Sequence, residues 1–110
     1  MAFRVRATSR LHRDLTNFLN WLSREKQSPQ GAASWLRAYD GAVKVAARSP
    51  FACGLAPENG LLENCETRQF LFKTRRGRFY RALFTIKADE LVILRLRGPG
   101  QPLLEPHERT

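Results

Sequence analysis

The sequence predicts a single α+β domain in which an N-terminal strand precedes an antiparallel helical hairpin and three antiparallel strands. Three observations lead to this prediction. The chain has 110 residues, which is enough for one hydrophobic core and too few for two. Apolar residues recur at helical spacing between residues 9 and 48, and they alternate with polar residues between residues 67 and 97. We expect one domain over residues 1–97 and a mobile C-terminal tail over residues 98–110.

The first strand and the first helix follow from a change of spacing near residue 9. Apolar and polar residues alternate from Phe3 to Thr8, which is typical of a short strand. From Ser9 the spacing becomes helical, with Thr8 or Ser9 as the N-cap, and the amphipathic helix is expected to end near Lys26. Its apolar stripe consists of Leu11, Leu15, Phe18, Leu19 and Leu22.

A second helix is predicted from Ser28 to Arg48. Ser28 suits an N-cap, and Pro29 suits the first helical position because no N–H donor is needed there. Only one or two residues connect the two helices, so the helices must run antiparallel. The apolar residues of the second helix are Ala32, Trp35, Leu36, Tyr39, Val43 and Ala46.

The segment over residues 50–66 follows neither spacing, because proline and glycine interrupt it at four positions. It is long for a loop in a compact domain. Three leucines in it indicate that it packs on the core instead of extending into solvent. These leucines are Leu55, Leu61 and Leu62.

The two cysteines, Cys53 and Cys65, do not have the spacing of a zinc site, and no metal ion or other cofactor is expected. They are interpreted as two reduced thiols, with a disulfide as the alternative. No apolar run approaches the roughly 20 residues needed to span a membrane. No signal-peptide pattern follows Met1. We therefore expect a cytoplasmic protein.

Three strands are expected in the last third of the chain. They cover Thr67 to Thr74, Arg78 to Ile86, and Glu90 to Arg97, and glycine or polar residues separate them. The first of the two connections is expected to be a tight turn at Arg76 and Gly77.

A two-residue turn at this position fixes the pairing of the first hairpin. It would place Phe72 opposite Arg81 and Phe70 opposite Leu83. Because the helical hairpin covers only one face of a four-stranded sheet, the other face is predicted to be a groove with an apolar floor and an arginine rim. The hairpin face with these arginines would carry Arg68, Phe70, Phe72, Phe79, Arg81 and Leu83.

The net charge of +9 is concentrated in the strands: residues 67–97 contain nine basic and two acidic residues. A concentrated positive field favours an anionic partner such as a nucleic acid or an acidic protein. Arginine also matches phosphate geometry and stacks on bases. The alternative is that the arginines discourage aggregation at strand edges, and that Arg81 and Arg95 pair with Glu and Asp side chains.

The element order resembles the RelE/ParE superfamily, the toxins of bacterial type II toxin–antitoxin modules, also called plasmid stabilisation proteins. The resemblance covers nearly the whole chain. It implies a helical hairpin on a mainly antiparallel sheet, and an antitoxin that wraps and blocks the toxin. Some members cleave mRNA on the ribosome, whereas ParE-like members inhibit DNA gyrase. The matching stretches are SPQGAASWLRAYDGAV, RSPFACGLAPEN, TRQFLFKT, RFYRALFTI and ELVILRLRGPGQ.

The resemblance implies two candidate catalytic residues. Arg81, in YRALF, matches the basic residue that mRNA-cleaving members use at the reacting phosphate, and Arg97 ends the last strand. The chain departs from those members after this strand, because GPGQPLL contains no Arg, His or Tyr before His107. Arginine stabilises charge but is a poor base. The candidate phosphate or nucleic-acid contacts are Arg68, Lys73, Arg78 and Arg95.

Three functions remain compatible with the sequence. The first is a toxin that cleaves mRNA on the ribosome, and the second is a toxin that inhibits gyrase by binding, without chemistry of its own. The third is a basic nucleic-acid-binding domain without toxicity. For either toxin, the antitoxin is expected to contribute an acidic, amphipathic segment that orders on binding and covers the basic surface. No membrane partner is expected.

Overall fold

The computed structural model describes residues 2–24, 29–60, 65–75 and 77–101. Its element order confirms the predicted α+β fold, with two helices between the first strand and the last three. The four strands form one sheet in the order β1-β4-β3-β2, in which β1 is parallel to β4 and the other pairs are antiparallel. The elements are β1 (Arg4–Ala7), α1 (Ser9–Arg24), α2 (Pro29–Arg48), β2 (Arg68–Phe72), β3 (Tyr80–Lys87) and β4 (Glu90–Arg97).

Thr8 is the N-cap of α1, as one of the two predicted alternatives had it. Its Oγ1 atom accepts a hydrogen bond from the Leu11 N–H at 3.1 Å and donates one to the Leu94 carbonyl at 2.9 Å. The cap therefore joins the start of α1 to β4. The predicted end of this helix at Lys26 and the predicted cap of α2 at Ser28 lie outside the described residues.

Both helices pack on one face of the sheet, and aromatic rings dominate the contact. Trp35 of α2 lies 5.3 Å from Phe72 and 5.4 Å from Tyr80 between ring centroids, both edge-on. Tyr39 stacks on Trp35 at 6.1 Å, and burial raises its pKa to about 12. Edge-on and stacked rings add about 0.5–1.5 kcal/mol per pair beyond their buried area. This face is the main hydrophobic core.

The predicted register of the first hairpin is wrong by one residue. Phe72 pairs with Tyr80, and Leu71 pairs with Arg81. The connection covers residues 73–79, which is far longer than the two-residue turn expected at Arg76 and Gly77. A slip of one residue exchanges the faces of one strand relative to its partner. Tyr80 therefore faces the helices together with Phe72, and Arg81 does not.

The prediction of an open groove over the other face is also wrong in the middle of the sheet. Leu83, Val92 and Leu94 are buried there, and Ala56 packs on them. The segment after α2 indeed packs on the sheet, but through Ala56, while Leu55 is half exposed. The two other leucines predicted to pack, Leu61 and Leu62, lie outside the described residues.

Backbone hydrogen bonds hold this segment against the edge strand β2. The Ala56 N–H donates to the Thr67 carbonyl at 2.8 Å, and the Gln69 N–H donates to the Gly54 carbonyl at 3.0 Å. The Thr67 N–H donates to Asn59 Oδ1 at 2.8 Å. Residues 54–59 therefore form a fixed cover over the sheet instead of a free loop.

Both cysteines are half-buried and form no disulfide with each other, in agreement with the first interpretation. Burial raises the pKa of the Cys53 thiol, and the nearby Arg68 partly opposes that rise. Over the described ranges, neither helix combines the length and the hydrophobicity that a membrane span requires.

Candidate functional site

The two candidate catalytic residues are neighbours on adjacent strands. Arg81 of β3 pairs with Arg97 of β4 in the sheet register. Arg81 alternates away from the aromatic core, because Tyr80 and Ala82 on either side of it belong to that core. The side chain of Arg97 is buried, with 6% of its residue surface exposed. The structure thus brings the two arginines together on the face opposite the helices.

Arg81 is held by a buried carboxylate. Its Nη1 and Nη2 atoms donate to Glu58 Oε1 at 2.9 Å and Oε2 at 2.8 Å, which makes a bidentate pair. Nη1 also donates to Gln69 Oε1 at 2.9 Å. Glu58 is 0% exposed, and the Arg81 side chain is 19% exposed. Paired guanidinium and carboxylate groups with parallel hydrogen bonds are the strongest of protein ion pairs.

Glu58 was not among the predicted site residues. It lies 23 positions before Arg81, in the segment that covers the sheet. The sequence signal for it was an acidic residue in a segment predicted to pack on the core, because a buried acid requires a cationic partner. The structure therefore confirms the predicted alternative that Arg81 pairs with a Glu side chain.

Arg95 is paired as well, on the other side of the sheet. Its Nε atom donates to Asp14 Oδ2 at 2.7 Å, and the same oxygen accepts the Leu96 N–H at 2.9 Å. A bulge at Leu94 makes this possible, since the register shifts between the pairs on either side of it. Asp14 therefore joins α1 to the irregular part of β4.

Arg68 contacts the segment that follows α2 and holds it beside the sheet. It forms an ion pair with Glu66 at 2.8 Å and donates to the Cys53 carbonyl at 2.6 Å. Its guanidinium group also lies over the Phe51 ring, 5.6 Å from the centroid. These contacts occupy a side chain predicted to bind phosphate, and they hold residues 51–53 beside β2.

The two remaining candidates, Lys73 and Arg78, lie together in a different place. They belong to the connection between β2 and β3, which faces the helical hairpin across an open groove of about 1470 Å³. We call it the loop groove. Its main lining side chains are Trp21, Trp35, Arg37, Lys73, Arg75, Arg78 and Tyr80.

The candidates for proton transfer are dispersed. Tyr80 faces the helices, and burial raises its pKa. His12 is exposed on α1, and His107 lies outside the described residues. Within the described ranges, no cluster of three His, Cys, Asp or Glu side chains has the geometry of a metal site. The six candidate residues thus lie in four places: Arg81 with Arg97, Lys73 with Arg78, Arg95 beside α1, and Arg68 beside the segment that follows α2.

Comparison with known proteins gives a match at the level of structure. No family model matches the sequence, and no curated protein matches it. A chain of the chromosomal ParDE toxin–antitoxin system from P. aeruginosa superposes with a TM-score of 0.62 at 18% identity, over 87% of this chain and 95% of that chain.

A chain of the RelBE2 toxin–antitoxin complex from Mycobacterium tuberculosis is a more distant structural match. Its TM-score is 0.48 at 26% identity, over 88% of this chain and 98% of that chain. The ParDE match and the element order together show that the chain has the RelE/ParE fold. At the level of the fold, this confirms the family resemblance seen in the sequence.

Proposed function

We propose that this chain is the toxin of a toxin–antitoxin module and that it acts by binding a protein target, without cleaving RNA. The toxin assignment is supported by the shared fold with a chain of the ParDE system. The choice between binding and cleavage rests on Arg81 and its partner.

The bidentate pair of Arg81 with the buried Glu58 is the observation that carries this choice. Electrostatic catalysis needs donors that point at the charge which develops in the transition state. Here the donors of Arg81 point at a carboxylate of the same chain. A phosphate placed beside them would also meet the negative charge of Glu58, which opposes phosphoryl chemistry at this position.

The proposed target is DNA gyrase, which the resemblance to ParE-like members implies. The exit of β4 agrees with this choice, since Gly98, Pro99 and Gly100 contribute no side chain for proton transfer. A binding mechanism needs no such group.

The proposed partner is a cognate antitoxin with an acidic, amphipathic segment. Leu71 and Phe79 are half exposed beside Lys73, whose ammonium group lies 5.6 Å from the centre of the Phe79 ring. Exposed apolar side chains next to a cation suit a segment that combines apolar anchors with carboxylates. Binding of such a segment would remove these apolar surfaces from water.

The test is inducible expression without the antitoxin, with pulse labels for DNA and protein synthesis. We expect growth to stop and DNA synthesis to fall first, with induction of the DNA damage response. An early fall of translation, with cleaved mRNA in the ribosomal fraction, would contradict the binding mechanism. Unimpaired growth with folded protein present would contradict the toxin assignment itself.

A paired substitution separates the two mechanisms within the same assay. Glu58→Gln together with Arg81→Gln removes both charges of the pair, so that neither charge is left buried without the other. We expect this double variant to fold and to arrest growth as the parent does. Loss of arrest with a native circular dichroism spectrum would indicate that the Arg81 charge takes part in the activity.

A further inference from the structure

The loop groove lies on the helical side of the sheet, away from Arg81 and Glu58. Trp21 and Arg37 line it on the helical side, and the connection between β2 and β3 lines it on the other. Trp35 and Tyr80, which belong to the core, reach its floor. The groove is therefore built from both helices, the β2–β3 connection, the start of β3 and Pro99 after β4, and it is separate from the Arg81–Glu58 pair.

The described residues that line this groove carry charge of one sign. They include Arg37, Lys73, Arg75 and Arg78, and none of the described lining residues is acidic. Arg75 and Arg78 are exposed, and neither forms an ion pair with any residue in the described ranges. The sequence of the connection, KTRRGR, places four cations within six positions. Such crowding is unfavourable for folding, and an anionic ligand would offset it.

The groove also offers aromatic surface beside the cations. Trp21 is 44% exposed, which is unusual for so large an apolar side chain. The indole N–H of Trp35 is buried and has no hydrogen-bond acceptor among the described residues. A buried donor without an acceptor is costly, so a ligand that offers an acceptor to this N–H would be favoured. Proteins bind unpaired bases by stacking them on exposed aromatic rings, and they bind the phosphates with arginine guanidinium groups. The groove offers both kinds of side chain.

We propose that the loop groove binds a short segment of single-stranded nucleic acid, with phosphates on Arg37, Arg75 and Arg78 and a base on Trp21. The volume of about 1470 Å³ exceeds the ~300–1,000 Å³ of small-molecule sites. An acidic peptide is the competing ligand. Charged residues are depleted in the centres of protein interfaces and enriched in nucleic-acid interfaces, which favours the nucleic acid here. This activity is additional to the proposed toxin function and does not depend on it.

The test is the fluorescence anisotropy of a labelled 12-nucleotide oligothymidylate, titrated with the full-length protein at several salt concentrations. We expect the logarithm of the affinity to fall against the logarithm of salt with a slope of about −2 to −3, from about −0.7 for each of three to four phosphates. An oligouridylate of the same length should bind within about threefold, because bases of either polymer can stack.

Two charge-reversal variants provide a matched comparison. Arg75→Glu with Arg78→Glu should lower affinity at least tenfold, whereas Arg13→Glu with Lys44→Glu changes net charge equally at exposed helix positions outside the groove and should lower it by about threefold or less. Trp21→Ala should lower affinity about tenfold through loss of base stacking. The melting temperature of each variant shows whether the fold is retained.

Three results would overturn the proposal. The first is equal loss of affinity in both charge-reversal pairs, which would indicate nonspecific attraction to net charge. The second is competition by polyglutamate of equal charge at the same concentration as the oligonucleotide, which would identify an acidic protein segment as the ligand. The third is the absence of binding at low salt by folded wild-type protein.

Discussion

The arginines of the strands and those of the β2–β3 connection are close in sequence and differ in what surrounds them. Arg81 and Arg95 each lie against a carboxylate, and most of each side chain is buried. Arg75 and Arg78 are exposed at the loop groove, without an ion pair among the described residues. The same residue type therefore holds the fold together in one region and remains available to a ligand in the other.

Local charge density therefore does not identify a binding site in this protein. Asp89 and Glu90 are the only acidic residues between Thr67 and Arg97. The carboxylates that pair with the strand arginines come from distant parts of the chain, Asp14 in α1 and Glu58 in the covering segment. Sheet pairing and helix packing decide which arginines meet an acid.

Among the acids that pair with strand arginines, removal of Glu58 should lower the free energy of unfolding most. Glu58→Ala leaves Arg81 mostly buried without its main partner, and breaking a buried pair costs about 3–5 kcal/mol. We expect the free energy of unfolding, from urea denaturation followed by circular dichroism, to fall by about this amount.

Glu66 provides the matched control for that variant. It also pairs with a strand arginine, Arg68, but its side chain is 57% exposed. Glu66→Ala should therefore cost about 1 kcal/mol or less, as exposed pairs do. Similar losses in the two variants would refute the distinction between buried and exposed pairs.

Asp14→Ala should have the next largest effect. The carboxylate accepts hydrogen bonds from the Arg95 side chain and from the Leu96 N–H. Its removal leaves both donors without this acceptor near the bulge, at a cost of about 2–3 kcal/mol. Asp40→Ala, at an exposed position of α2, should change the free energy of unfolding by about 0.5 kcal/mol or less. Thermal and urea unfolding of both variants would check the difference.

Substitution of the arginines in the β2–β3 connection should change the free energy of unfolding least. Arg75→Ala together with Arg78→Ala removes two exposed cations from a crowded positive segment. We expect the free energy of unfolding to stay within about 0.5 kcal/mol of the parent, since surface changes away from caps and ion pairs are nearly neutral. A loss of more than about 2 kcal/mol in the same urea assay would mean that these side chains hold the fold as the strand arginines do.

Much of the fold followed from local patterns. The helical spacing of apolar residues gave the two helices, and alternation gave the strands to within one or two residues at most ends. The register of the first hairpin could not be predicted from the sequence. Gly77 is typical of a tight turn, but the connection extends over residues 73–79. Turn length fixes register, and a sequence with several polar residues around one glycine is compatible with more than one length.

The candidate site was predicted less well than the fold. Pairing across the sheet made Arg81 and Arg97 neighbours, as their positions in two predicted antiparallel strands allowed. The roles of Arg68, Arg81 and Arg95 depend on Glu66, Glu58 and Asp14, and two of these three acids are far away in the chain. Ion pairing over such separations is a property of the folded chain, so no local pattern contains it.

The element order and the excess of positive charge in the last third of the chain follow from the sequence alone. These properties depend on residue type and on spacing of two or 3.6 residues, which are local. Three features could be seen only in the folded chain: the segment after α2 covers the sheet, Glu58 lies against Arg81, and the β2–β3 connection faces the helices. Each of these requires distant segments to meet, and packing of the whole chain decides where they do.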